Sequence, residues 1–177
     1  MQSKEFLVIS TSLNPDSKSR MLAKYAHATL EAQVGCEFVD LRDYALPMCD
    51  GDSAYAHPDV ALVTKKIINA SCIIVATPIY NYDVNAAFKN LIELSGRAWH
   101  DKVVGFLCAA GGKSSYMSVM AVANSLMLDF RSVIIPRFVY AEGSHFSEAE
   151  IDETVQERIN ELAKTAIRLT GLVHVAP

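Results

Sequence analysis

The stretch from Cys72 to Ala76 is apolar at every position, and this constrains the fold more than any other feature of the chain. A strand with one wet face alternates apolar and polar residues. A continuous apolar run bounded by polar residues is covered on both faces, as in the middle of a parallel sheet. Comparable runs occur at residues 6–9, 102–109 and 132–135, and a more polar one at 36–41. Between them the apolar period becomes helical. Leu22, Tyr25, Ala26 and Leu30 form one stripe within residues 17–33, and Pro58 opens a helix through residue 69. Val84, Ala87, Phe88, Leu91, Ile92 and Ser95 fall at helical spacing, with Gly96 as a stop. Residues 114–128 read as a fourth helix. Ser147 with Glu150 reads as a capping box for the fifth, whose buried face carries Ile151, Val155, Ile159, Leu162, Ala166 and Leu169.

Strands alternating with helices imply parallel crossovers and an open sheet covered on both sides. The first, third and fourth strands are the most apolar and belong at the centre. The expected fold is therefore α/β and flavodoxin-like: five parallel strands in the order 2-1-3-4-5, spanning residues 1–177 as one domain. The ligand cleft of such a sheet lies where the first and third strands diverge. A length of 177 residues suits one domain. With 16 basic against 20 acidic residues, a net charge of −4 and no Lys/Arg-rich run, neither nucleic acid nor an anionic membrane surface is an expected partner. The apolar run after Lys4 is too short for an export signal or a membrane span. Cys36, Cys49, Cys72 and Cys108 show no metal-ligand spacing, and read as reduced thiols of a cytoplasmic protein.

Doubly wound sheets host many chemistries, so the fold does not choose among them. The turn after the first strand contains no glycine, which excludes a dinucleotide fingerprint there. Gly112-Lys113-Ser114 resembles the end of a phosphate-binding P-loop, but Leu107 stands where its first glycine belongs. Ser10 and Thr77 occupy the strand ends where a phospho-acceptor domain would carry acids. His27, His57, His100, His145 and His174 are scattered, and no nucleophile triad or metal cluster is expected.

Three loops at the expected cleft do carry a pattern. The first holds Thr11, Ser12, Ser17 and Ser19, followed by Arg20, where a helix begins. Hydroxyls and free backbone N–H groups at a helix N-terminus bind anions, and hydroxyls suit a monophosphate without a metal. One serine would suffice as a helix cap, so the excess points to phosphate. The second loop, at the end of the third strand, holds Pro78, Ile79, Tyr80, Asn81 and Tyr82, which offer flat apolar surface and amides for a heterocycle edge. The third holds Gly111 and Gly112, where backbone can approach a planar ligand closely. Together they suit a phosphorylated planar heterocycle.

At these residues the sequence resembles the NADPH-dependent FMN reductase family of flavodoxin-like proteins. The family's first-loop pattern is matched from Thr11 to Arg20, its ring loop by Pro78, Ile79, Tyr80 and Asn81 with Lys89-Asn90 in the following helix, and a Leu-Pro segment by Leu46-Pro47. The resemblance runs from Phe6 to about Phe138. It implies that Ser12, Ser17, Ser19 and Arg20, with Thr11 beside them, bind the FMN phosphate. It places Pro78, Ile79, Tyr80 and Asn81 along the ring, and Gly111 and Gly112 at its pyrimidine side. Asn14 stands where many members have arginine, Ile79 where glutamate is frequent and Asn85 where proline is frequent.

The implied activity is hydride transfer from NADPH or NADH to bound FMN and then to a small-molecule acceptor: free flavin, a quinone, an azo compound or a metal. Such chemistry needs stacked rings in a dry site and no side-chain nucleophile or base. Lys113 could stabilise charge on the reduced ring. The alternative from another class is a flavodoxin-type electron carrier that binds FMN but does not oxidise NAD(P)H. Residues 114–128 are apolar on more than one side, which suggests a homodimer or homotetramer, with this helix and the one before it near the interface. The loop at residues 44–57 is a candidate cover for the site.

Overall fold

A computed structural model of the protein describes residues 5–148 and 150–173. The elements are β1 (Phe6–Ser10), α1 (Lys18–Glu31), β2 (Cys36–Asp40), α2 (Pro58–Asn69), β3 (Cys72–Tyr80), β4 (Asp83–Val84), α3 (Ala86–Ser95), β5 (Val103–Ala110), α4 (Met120–Phe130), β6 (Val133–Ile134), β7 (Val139–Glu142) and α5 (Glu153–Val173). The sheet order is β2-β1-β3-β5-β6, with β7 continuing the outer position along β5. All of these pairs are parallel. This is the expected flavodoxin-like order, with two departures. Pro136 has no N–H for the ladder and Arg137 takes φ 59°, so the outermost strand leaves the sheet and rejoins it as β7. The β4 segment pairs antiparallel with the end of β3.

Strand alternation divides the core. Leu7, Ile9, Ile73, Val75, Val104 and Phe106 face α2, α3 and α4. Phe6, Val8, Ile74, Ala76 and Leu107 face α1 and α5. Gly105 lies on the second face, where a Cβ would stand 2.8 Å from Ile74 Cδ1 and 3.3 Å from Leu162 Cδ2. The missing side chain lets α5 seat closely on the sheet.

Two helix starts differ from expectation. Residues Lys113–Val119 form 3₁₀ turns, with Ser115 outside helical φ/ψ, and the α-helix begins only at Met120. Serines at 114, 115 and 118 favour local bonds over regular helix. The reciprocal bonds of Ser147 and Glu150 close a turn ahead of the last helix, and the carboxylate of Asp152 accepts from the Thr154 N–H at its actual start.

Cys72 and Cys108 are buried and their thiols are pushed up to about 12 by desolvation, so they serve as core hydrophobes. The histidines hold separate structural posts. His27 meets the Cys36 carbonyl, His57 Nδ1 accepts from the Asp59 N–H at the start of α2, His100 packs on Phe130 and His145 Nδ1 accepts from the Glu142 N–H. His174 lies outside the described residues. Among the described residues, no helix is long and apolar enough to cross a membrane.

Candidate active site

The loop from β1 to α1 crosses the C-terminal edge of the sheet. Ser17 caps α1, its Oγ accepting from the Arg20 N–H at 3.1 Å, and lies 2.9 Å from Ser19 Oγ. Ser12 Oγ accepts from the Asn14 N–H at 3.3 Å. These three hydroxyls are buried, and the first turn of α1 contains no acidic residue. The positive end of the helix dipole is therefore not offset within that turn. Lys18 at the first helical position adds a full charge. Its Nζ sits 5.5 Å from the centroid of Phe146.

Two residues expected at the phosphate, Arg20 and Thr11, contact other protein groups, and Arg20 keeps a buried Nη2 without a hydrogen-bond partner among the described residues. Arg20 Nε lies 2.9 Å from Asp40 Oδ2, and Arg42 Nε 3.3 Å from Asp40 Oδ1. Arg20 thus serves a largely buried ion pair between α1 and the end of β2. Thr11 Oγ1 lies 3.1 Å from Ala76 O and 2.9 Å from Asn85 Oδ1, which places it in a bond network between strands. The pattern of Ser-x-Ser-Arg could not show this, because the competing partner Asp40 is distant in sequence.

The Arg20 pair carries a pH-dependent prediction. Burial raises the Asp40 carboxyl above its ordinary range, and Arg20 is the chief opposing influence. The folded protein therefore holds this proton more tightly than the unfolded chain, and stability falls as pH rises from 3.8 through the raised value. Arg20→Ala raises that value further. The variant is expected to lose about 2–4 kcal/mol at neutral pH, with the gap to wild type narrowing below the Asp40 transition. Urea unfolding across the acid range checks this; a gap independent of pH would contradict it.

The second wall is a hairpin. Thr77–Tyr80, expected as loop, continue β3, and the chain reverses through Asn81 (φ 51°) and Tyr82 (φ 66°). Two consecutive left-handed residues make the tight turn that matches strand twist. Ile79 pairs with Val84 and Tyr80 with Asp83. Ile79 is buried, whereas Tyr80 and Tyr82 are exposed. Asn85 fastens this hairpin to the first loop. Its Nδ2 donates to Thr11 O at 2.8 Å, and Thr77 Oγ1 lies 3.1 Å from its Oδ1. Asn85 stands at the N-cap of α3 yet makes no side-chain cap bond; its amide is spent on the latch.

The third wall follows β5. A Cβ on Gly111 or Gly112 would meet no atom within 4 Å, so their bare backbone borders open space. The Tyr140 hydroxyl donates to Gly112 O, and burial raises the Tyr140 phenol, keeping it a donor.

The three walls enclose a cleft of about 400 Å³. Ser12, Ser17 and Ser19 of the first loop line it together with Pro78, Ile79 and Tyr80 of the hairpin and Gly111 of the third wall; Asn14, Asp16, Lys18, Ala109, Ala110 and Gly143 complete it. Thr11, Arg20, Asn81 and Gly112 are absent from this lining. Lys113 borders a neighbouring depression with Tyr116 and Tyr140. The 44–57 loop does not cover the cleft: it is tied to α3 by Asn90, which accepts from the Cys49 N–H and donates to Pro47 O.

The model of one protein family, NADPH-dependent FMN reductase, matches residues 5–146. The chain belongs to that family. It is 32% identical over 142 residues to an NAD(P)H-dependent FAD/FMN reductase of Geobacillus thermodenitrificans (strain NG80-2), covering 77% of this chain and 76% of the relative. It is 25% identical over 182 residues to a probable NADPH:quinone oxidoreductase 2 of Oryza sativa subsp. japonica, covering 92% and 89%. The apo crystal structure of an NADH:FMN oxidoreductase shares the fold at a TM-score of 0.79 and 19% identity, covering 97% and 91%. The chain is therefore a homologue of NAD(P)H-dependent flavin reductases within a flavin and quinone reductase family.

Proposed function

We propose that the protein binds FMN in the cleft between β1, β3 and β5 and oxidises NADPH or NADH in favour of a small planar acceptor, a free flavin or a quinone. The observation that carries this is the cleft itself: buried hydroxyls and a lysine at a helix N-terminus face a flat wall whose glycine has empty space where a side chain would project. This donor set fits a monophosphate joined to a planar ring. Ser12, Ser17 and Ser19, with Lys18 and the N–H groups of the first turn, would hold the phosphate. Pro78, Ile79 and Tyr80 would border one edge of the ring, and Ala109, Ala110 and Gly111 the other. When bound, the flavin supplies two-electron chemistry, accepting hydride from reduced nicotinamide and returning electrons to the acceptor. The chain's part is to hold the ring and exclude water; the latch at Asn85 keeps two of the walls in register.

The proposal includes a homodimer. Met117, Met120, Met127 and Leu128 are exposed on the outer side of α4 and its approach, and a second copy of the chain is their natural cover. Light scattering should report twice the chain mass. Among the described residues, no group of three or more His, Cys, Asp or Glu side chains is gathered as a metal site.

Anaerobic addition of NADPH to FMN-loaded protein tests the reading. Prompt bleaching of the flavin's visible band is expected. A flavin that stays oxidised in the presence of both NADPH and NADH would instead mark an electron carrier.

A further inference from the structure

Beside the flavin cleft the sheet edge carries a second concavity that flavin binding does not use. It is lined by Tyr116, Pro136, Arg137, Phe138, Arg158, Glu161 and Arg168, among others, and holds about 290 Å³. Three arginines and one glutamate line it. Among the described residues, none of the three has an ion-pair partner, and the Arg158 contact is a bond from Nη1 to Tyr140 O at 3.5 Å. Arg158, Glu161, Thr165 and Arg168 share one face of α5, and ten residues of helix set the two arginines roughly 15 Å apart along its axis. Arg137 reaches the same concavity from the break between β6 and β7.

Two features distinguish this group from arginines that are merely solvated. Arg137 is held in the left-handed region at φ 59°, a conformation that costs a long L side chain about 1–2 kcal/mol and that directs it to this site. The floor beside the arginines is aromatic. Tyr116 packs on Phe138 with centroids 4.9 Å apart and on Tyr140 at 5.4 Å, while remaining about half exposed. An exposed ring next to paired-donor cations suits an adenine nucleotide: the base stacks on the ring and phosphate oxygens take bidentate bonds from arginine.

A neighbouring depression joins this concavity to the flavin wall. It is lined by Lys113, Tyr116, Tyr140, Glu142, His145 and Arg158, so it shares Tyr116 and Arg158 with the concavity, and Lys113 directly follows Gly111-Gly112.

We propose that this edge groove binds the adenylate end of the reduced dinucleotide, with the adenine on Tyr116 and the 2′-phosphate of NADPH between Arg137 and Arg168. The proposal rests on the reading that the chain oxidises a reduced nicotinamide dinucleotide, and it assigns the phosphate selectivity to residues outside the flavin cleft.

The test is the double variant Arg137→Asn, Arg168→Gln in the FMN-loaded protein. Asparagine tolerates the left-handed conformation, so the backbone at 137 is preserved. Lys65→Gln with Lys164→Gln, exposed changes on α2 and elsewhere on α5 that remove the same two charges, serve as a control for net charge. Two readouts are taken: calorimetric binding of adenosine 2′,5′-bisphosphate, and KM and kcat with NADPH and with NADH. The double variant should lose about tenfold or more in affinity for the bisphosphate, as expected for two charge-assisted contacts. KM for NADPH should rise by a similar factor with kcat at saturation unchanged, KM for NADH should move little, and the control should resemble wild type. Equal losses with NADPH and NADH would overturn the 2′-phosphate assignment and put the pyrophosphate there instead. Unchanged bisphosphate binding, or the same loss in the control, would overturn the site altogether. Because the bisphosphate measurement does not involve flavin reduction, it separates failure of this site from failure of the reductase reading.

Discussion

Gly111→Val should weaken flavin binding on the order of 10³-fold, and NAD(P)H oxidation with it, while leaving the thermal midpoint unchanged. The substitution is tolerated by the fold because a Cβ at this position meets no atom within 4 Å and the backbone is outside the left-handed region. It is not tolerated by the ligand, because the added methyls project into the space that a ring lying on the glycine backbone would occupy. A planar ring of this size buries about 150–250 Å², which at about 25 cal/mol per Å² is about 4–6 kcal/mol. Losing that contact weakens binding on the order of 10³-fold. Flavin fluorescence titration together with a thermal melt checks both halves. Retained affinity would mean that the ring lies away from the third wall.

Asn85→Ala is expected to couple stability to the site in the opposite sense. The amide spans the first loop and the hairpin through Thr11 and Thr77, and it is buried. Removing it leaves the Thr11 carbonyl without its side-chain donor, a cost of about 1–3 kcal/mol. For a chain of this size the melting temperature should fall by roughly 2–10 °C. Flavin affinity should fall as well, because the phosphate loop and the ring hairpin lose their common strut. A melt that does not move, or a loss of stability with unchanged flavin affinity, would remove Asn85 from the positioning role assigned to it.

The sheet was legible because its cause is local. A run such as residues 72–76 must be covered on both faces wherever it sits, and helical stripes beside it supply the cover. Strand order followed from relative apolarity, which the buried β1, β3 and β5 bear out. The hairpin at Asn81-Tyr82 was not legible, because neither residue is a glycine and β4 has only two residues. The split outer strand is marked by Pro136, but rejoining it as β7 depends on pairing with Leu107–Ala110, a contact distant in sequence. At the site, Ser12, Ser17 and Ser19 line the cleft, whereas Arg20 and Thr11 do not, because each has a partner, Asp40 or Asn85, that a linear pattern does not rank. Lys18 and Tyr140 carry no signal in the linear sequence for the same reason: a lysine in a first turn and a tyrosine in a strand look ordinary until Phe146 and Gly112 are placed beside them.

The central claim is that the N-terminus of α1 and the wall at Gly111 hold the two ends of one mononucleotide. A crystal structure of the protein with FMN tests it most directly. The account predicts the phosphate within hydrogen-bonding distance of Ser12, Ser17 and Ser19, with the ring between the β3 hairpin and Gly111. Phosphate density bound instead at Arg20 or at the α5 arginines, with those serines bare, would contradict it.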